Sequence, residues 1–280
     1  NNLLKSEDVL HTLNAFKAMG VKIVEKQKKL LIYGNGLNSL KKPENSVYLG
    51  NSGTSARLLT GLLSSQNFNS VLIGDKSLSK RPMKRITDLL IKMKAKIHTQ
   101  NGTLPLIIEG KKLFPCDINL KIPSAQIKSG LLLAGLNTVG ETNITETKIT
   151  RDHTEIMLEA FGANIKTIKT NNTRNIKIIG KQELTSKNID VPNDLSSSAF
   201  FIVSALINNN SHITLKNINN NPTRNGILLA LEKMGANILL LNKRVINNEN
   251  ICDIEVKSSE LNGCNLGPKF ADLMIDEYPI

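Results

Sequence analysis

The chain has 280 residues, 36 Lys+Arg against 24 Asp+Glu for a formal net charge of +12, 40% hydrophobic residues, 4% aromatics and no Trp. That length suits one large domain or two ordinary ones of about 100–200 residues each, with enough apolar material for a packed core, so a disordered chain is excluded. No apolar run reaches the roughly 20 residues of a membrane-spanning helix, which excludes a transmembrane helix.

The positive balance invites a nucleic-acid reading, because Lys and Arg neutralise phosphates. The basic residues are scattered through every segment and aromatic stacking platforms are scarce, so neither a nucleic acid nor a membrane is expected as partner. Cys116, Cys252 and Cys264 form no C-x-x-C pair and lie apart from His11, His98, His153 and His212. Neither a disulfide framework nor a metal site follows, and reduced cysteines in a cytoplasmic protein are expected.

The first residues hold no initiator Met and no charged-then-apolar leader, and the last ones stop on Ile280 where a new element is beginning. The chain is therefore expected to be a piece of a longer one. A helix is predicted to end at Met19-Gly20 and to lead into a strand at residues 21–23. Residues 33–39 carry a G-x-G without a third Gly and read as a turn after a paired strand, not as a dinucleotide site. Residues 51–55 (Asn, Ser, Gly, Thr, Ser) open a helix with the apolar run of residues 58–63.

Arg81 follows in a basic strand-to-helix connection, with Pro82 at a plausible first helical position. Met83, Ile86, Leu89, Leu90 and Met93 then mark an amphipathic helix that packs on one side. Ser124, Ala125 and Gln126 open another apolar helix, and residues 150–155 stand before an amphipathic one. Residues 175–179 and 211–216 alternate as half-buried strands. Residues 188–191 read as a strand broken by Pro192, and Asp194 to Ser198 open a third apolar helix. Pro222-Thr223-Arg224 matches the earlier Arg connections, and Asp276-Glu277 lies where a fourth apolar helix is expected to begin.

These elements repeat. The break after the amphipathic helix recurs at Gly20, Lys94, Gly162 and Gly235, spaced 74, 68 and 73 residues. The polar helix starts recur at Ser52, Ser124 and Ser196, each 72 residues apart. The unit is strand, buried helix, strand, surface helix, strand, strand, with helices inside and sheet outside. Helices that are apolar nearly all round are buried ones.

The small polar residues at the apolar helix starts leave unpaired N–H groups and a partial positive charge open to a phosphate or carboxylate, although ordinary N-capping would satisfy each start taken singly. Arg81 could fork onto an anion beside the Gly53 start, or be a solvated basic residue. Asp152 and His153 have no nucleophile or metal partner and read as helix-start hydrogen-bonding groups. The Asp276-Glu277 pair is read either as a proton acceptor or as a dipole-favoured acidic pair.

Residues 50–57, 80–83, 124–129, 150–155, 221–224 and 275–279 occur in order and at the spacing of one family. Together they resemble the 5-enolpyruvylshikimate-3-phosphate synthases, most of all the bacterial class II branch, from end to end of the chain. The resemblance implies an α/β fold, the enolpyruvyl transferase inside-out α/β barrel, with two domains of βαβαββ units and the active site in the cleft between them. Residues 1–191 would be most of the first domain and residues 192–280 the start of the second.

The implied reaction transfers the enolpyruvyl group of phosphoenolpyruvate to the 5-hydroxyl of shikimate 3-phosphate, without a cofactor or metal. By motif, Gly53, Arg81 and Gln126 would meet phosphoenolpyruvate. Ser124, Ala125, Gln126, Arg151 and Asp276 would meet shikimate 3-phosphate, with Asp276 also the proton acceptor. The family's N-terminal Lys-Ser and Arg loop and its C-terminal Lys-Glu and Arg groups have no counterpart here, so this piece alone is expected not to turn over, and a monomer is expected. Gly53 leaves room for the family's inhibitor glyphosate, which implies a sensitive enzyme. The sister transferase acting on UDP-N-acetylglucosamine carries a Cys in the loop before its Arg-Pro pair, where this chain reads Asp75 to Ser79 without one. That transferase, and a non-catalytic anion- or RNA-binding repeat protein, are the alternatives.

Overall fold

The structure is a computed structural model and describes residues 4–27, 29–170, 173–278 and 280. The chain divides into two units, Asn1–Thr150 with Leu158–Lys187, and Arg151–Met157 with Asn188–Ile280. No helix among the described residues is long and apolar enough to cross a membrane.

The first unit opens with α1 (Glu7–Ala18) and the antiparallel pair β1 (Lys22–Lys26) and β2 (Lys29–Tyr33). One full repeat follows as β3 (Val47–Tyr48), α2 (Gly53–Ser64), β4 (Asn69–Ile73), α3 (Lys84–Lys92), β5 (Lys96–Gln100) and β6 (Thr103–Glu109). The next is β7 (Asp117–Leu120), α4 (Ala125–Leu136), β8 (Glu141–Glu146), α5 (His153–Ala160, its residues up to Met157 assigned to the second unit), β9 (Ile165–Lys169) and β10 (Arg174–Ile179). Their sheets have the same order, β3-β4-β6-β5 and β7-β8-β10-β9, with the first pair parallel and the rest antiparallel. The βαβαββ unit read from the period is thus present twice. The four break positions all adopt the left-handed backbone, Gly20, Gly162 and Gly235 at φ of 84°, 84° and 86° and Lys94 at 67°. Only Lys94 bears the steric cost of a side chain there.

The second unit holds α6 (Leu195–Ile207), β11 (His212–Asn219), α7 (Gly226–Lys233), β12 (Asn237–Ile246), β13 (Glu249–Lys257) and α8 (Pro268–Leu273), with sheet order β11-β13-β12. The strand expected at residues 188–191 does not form. Pro192 breaks the run, and pairing shrinks to one parallel bridge between Asn193 and Ile218. Nor is α6 buried all round: Leu195, Ala199, Ile202 and Leu206 enter the core, while Phe200, Phe201 and Ile207 stay exposed.

In the first unit the core is built around α2 and α4. They run parallel and in register, because residues 72 apart meet at both ends. Gln126 donates to Thr54 at the start, and Asn137 donates to Ser65 at the finish. Between these ends the backbones nearly touch, and a Cβ built on Gly61 would lie 1.9 Å from the Gly130 carbonyl oxygen. The buried hydroxyls of Thr60 and Ser64 return to carbonyls one turn back on their own helix, so the close approach leaves them satisfied. Gly61→Ala is therefore expected to cost about 3 kcal/mol by overpacking backbone that cannot yield. An unchanged melting temperature would refute this.

In the second unit, β13 carries Asp253 between two bulges, where Asn217 and Asn242 take positive φ of 57° and 48°. The Asn217 N–H (2.9 Å), the Asn242 amide (3.0 Å) and Arg244 (3.3 Å) all donate to the carboxylate, and in that order they hold its pKa down to about 2. The unfolded chain ionises near ~3.9. Asp253 therefore stabilises fully above about pH 4 and loses that contribution as pH falls through about 2. Asp253→Asn is expected to flatten the acid limb of the stability curve, and urea titrations of the two proteins between pH 2 and 5 that run parallel would refute it.

Candidate functional site: an arginine cluster at paired helix starts

The parallel register brings the N-termini of α2 and α4 side by side. Ser52 caps α2, its Oγ accepting the Ser55 N–H (3.3 Å), and Ser124 caps α4, its Oγ accepting the Ile127 N–H (3.4 Å). Both caps are neutral, so the positive ends of two helices lie together without compensation from the cap residues. Gly53 and Ala125 are the first helical residues of α2 and α4.

Gln126 joins the two starts. Its Nε2 donates to Thr54 Oγ1 (2.8 Å), and its Oε1 accepts from Arg57 Nη1 (2.9 Å). The same guanidinium reaches the Gly53 carbonyl (3.1 Å) and the Pro82 carbonyl (3.3 Å). Arg81, at the end of a 3-10 turn over Leu78–Lys80, donates to Asn51 Oδ1 (2.6 Å). A Cβ built on Gly53 would lie 2.8 Å from Arg57 Nη1 and 2.9 Å from Arg81 Nη1. The first unit thus assembles Gly53, Arg81, Ser124, Ala125 and Gln126 as one group.

Burial, then the like charges of Arg81 and Arg85, lower the Arg57 pKa. Among the described residues, Arg57, Arg81 and Arg85 have no carboxylate within ion-pair distance. Arg57 and Arg81 thus lie beside the α2 start, with Arg85 close enough for its charge to act on Arg57, an arrangement of the kind that favours anions with several oxygens. No group of three or more His, Cys, Asp or Glu among the described residues is placed to hold a metal ion.

Several local readings need correction. Pro82 is not the first helical residue: Met83 gives its N–H to the Gly102 carbonyl, and α3 starts at Lys84. The start of α6 does not keep the 72-residue step, because Asp194 is its cap, accepting the Ser197 N–H (2.8 Å) and hydroxyl (2.9 Å). Asp276-Glu277 opens no helix. It lies in the turns after α8, which begins at Pro268, where the fixed proline φ suits a first helical residue. Pro279 and residues 1–3 lie outside the described residues.

In the second unit Arg151 is ion-paired with Asp276. Asp152 accepts from Asn221 (2.8 Å), and His153 contacts Glu249 (2.6 Å). Burial raises the Glu249 pKa, but His153, Asn219 and Asn221 outweigh it, so the group is held below its ordinary value. Arg224, the counterpart of Arg81, pairs with Asp194 (3.0 Å) and donates to Ser196 Oγ (2.5 Å), which in turn donates to Glu277.

Arg57 lies within the motif around Gly53, and the motif by itself points to no role for it. Its signal is a cation in the second turn of a helix, where the dipole disfavours positive charge. Gly53→Ala should leave the fold intact, since the atoms in its way are the ends of flexible side chains, while moving both guanidiniums. We expect inorganic phosphate to bind about tenfold more weakly by calorimetry, the loss of roughly one charge-assisted hydrogen bond. Equal affinity in the two proteins would refute this geometry.

The profile of the EPSP synthase family (3-phosphoshikimate 1-carboxyvinyltransferase) matches residues 1–278. The 3-phosphoshikimate 1-carboxyvinyltransferase of Ruthia magnifica subsp. Calyptogena magnifica is 48% identical over 281 residues, covering 100% of this chain and 64% of that protein. That of Vesicomyosocius okutanii subsp. Calyptogena okutanii is 46% identical over 280 residues, covering 100% of this chain and 63% of that protein. The structure of EPSP synthase from Acinetobacter baumannii superposes with a TM-score of 0.89 at 45% identity, covering 99% of this chain and 63% of that one. The chain thus spans just under two thirds of the length of these relatives. On motifs, fold and extent of match alike, the chain belongs to the EPSP synthase family.

Proposed function

We propose that a full-length protein carrying this chain transfers the enolpyruvyl group of phosphoenolpyruvate to the 5-hydroxyl of shikimate 3-phosphate and releases phosphate. The observation that supports this reading is Arg57 and Arg81 at the starts of α2 and α4, with the charge of Arg85 acting on Arg57, left without a carboxylate among the described residues. Phosphoenolpyruvate brings a phosphate and a carboxylate on three carbons, which suits two guanidiniums and two helix N-termini side by side. Arg81 and Arg57 bind its anionic groups, with Gly53 leaving the space for it. The Gln126 amide, fixed by Arg57 and Thr54, reaches both substrates.

Ser124, Ala125 and Arg151 bind the shikimate 3-phosphate side. Asp276 holds the shikimate hydroxyls and takes the proton from the 5-hydroxyl as that oxygen bonds to C2 of phosphoenolpyruvate, while a general acid of the full-length protein gives a proton to the methylene carbon and takes it back in the elimination. Loss of that methyl proton together with phosphate from the tetrahedral adduct restores the double bond and yields the product. Fixed cations and amide dipoles stabilise the charge of the departing phosphate, the usual largest contribution in such sites. The enzyme acts in the cytoplasm as a monomer.

The test is phosphate release from phosphoenolpyruvate by the full-length protein. We expect turnover with shikimate 3-phosphate, none with UDP-N-acetylglucosamine, and inhibition by glyphosate that Gly53→Ala weakens. Turnover with the sugar nucleotide alone, or with neither acceptor, would overturn the reading.

A further inference from the structure

Helix α1 carries no residue of the proposed site, yet a chain of hydroxyls that begins at the cap of α2 ends on it. Ser52 Oγ and Ser55 Oγ lie 2.8 Å apart, Ser55 Oγ and Thr12 Oγ1 lie 2.6 Å apart, and Thr12 Oγ1 is 2.7 Å from the Asp8 carbonyl oxygen one turn back on α1. Ser52 and Ser55 are buried, so these hydroxyls depend on one another for partners. One direction of donation satisfies them all. Each hydroxyl has a single proton, and the Asp8 carbonyl can only accept. Thr12 therefore donates to Asp8, Ser55 to Thr12 and Ser52 to Ser55, which leaves a lone pair on Ser52 Oγ for the Ser55 N–H that it caps.

With its proton committed on one side and its lone pair on the other, the Ser52 side chain is fixed, and the first turn of α2 is tied to α1. The cap engages the third N–H of the helix. Those of Gly53 and Thr54 have no protein partner among the described residues, and the Arg57 and Arg81 guanidiniums flank Gly53. The docking of α1 has other supports. The His11 ring lies so close to Gly50 that a Cβ built there would come within 2.4 Å of it, the same ring meets Tyr48 edge-on at 5.0 Å, and Ala15 and Met19 are buried in the core. Packing at position 12 would be served as well by valine, so the hydroxyl is the informative feature of Thr12.

We infer that Thr12 is a positioning residue for phosphoenolpyruvate, holding the first turn of α2 through Ser55 and Ser52 so that the Gly53 and Thr54 N–H groups stand ready for its anionic groups. This rests on the reading of the α2 start proposed above. Thr12 lowers the ordering cost of binding and touches no substrate.

Steady-state kinetics of the full-length enzyme test it, with Thr12→Val, Thr12→Ser, Ser55→Ala and the Thr12→Val, Ser55→Ala pair. We expect Thr12→Val to raise the KM for phosphoenolpyruvate about fivefold, the scale of one hydrogen bond, with kcat and the KM for shikimate 3-phosphate within about twofold of the parent. Thr12→Ser keeps the hydroxyl and should restore the parent KM. In the Thr12→Val background Ser55→Ala should add nothing, because both residues act through one chain. Should Thr12→Val fail to fold, Ser55→Ala carries the prediction with the same sign. An unchanged KM for phosphoenolpyruvate, equal rises in both KM values, or independent effects in the pair would overturn the positioning role while leaving the proposed reaction standing. A parent enzyme that does not turn over with shikimate 3-phosphate would overturn the proposed reaction and this inference with it.

Discussion

The contact on which the rest depends is the approach of two helix backbones at Gly61 and Gly130. Only glycine permits it, and it brings α2 and α4 close enough for Asn137 to reach Ser65 at one end and for Gln126 to reach Thr54 at the other. Because the two helices come from successive repeats, equivalent residues meet and both N-termini open at the same end. Spread over a wider helix spacing, the Arg57 to Gln126 bridge would be lost and the two positive ends would no longer lie together.

The repeats then diverge through their caps. Ser52 and Ser124 are neutral, so the charge at their helix ends and on Arg57 and Arg81 stays available. In the second unit the cap is Asp194. Burial pushes its carboxyl up, but the Ser197 N–H and hydroxyl and the Arg224 guanidinium outweigh this, so it is held below the ordinary range as an anion. There Arg224 is already neutralised by the protein itself. The same strand-to-helix arginine therefore meets an amide, Asn51, in one repeat and an internal carboxylate, Asp194, in another.

Much of this was legible in one dimension. Small polar residues before apolar runs mark Ser52 and Ser124 as helix starts because side-chain capping is local. Gly20, Gly162 and Gly235 mark helix ends because positive φ is a property of single residues. Of the candidate residues, Gly53, Ser124, Ala125 and Gln126 stand at those helix starts, and Arg81 follows the 3-10 turn over Leu78–Lys80. What escaped depends on neighbours distant in sequence: the missing strand at residues 188–191, the Asp194 cap, the turn that holds Asp276, the exposed face of α6, and the engagement of Arg57 by Gln126, 69 residues on.

The +12 charge with which the sequence opens has no single destination. By itself the sequence determined the period, most of the element types and the helix starts at Ser52 and Ser124, all consequences of local backbone preference and apolar spacing. It could not say which charges are matched. Tertiary packing decided that Arg57, Arg81 and Arg85 gather without a described carboxylate, that Arg224 and Arg244 are paired with Asp194 and Asp253, and that Lys128 and Arg174 are buried around Glu146. Charge interactions depend on distance and burial, and neither is written in residue spacing.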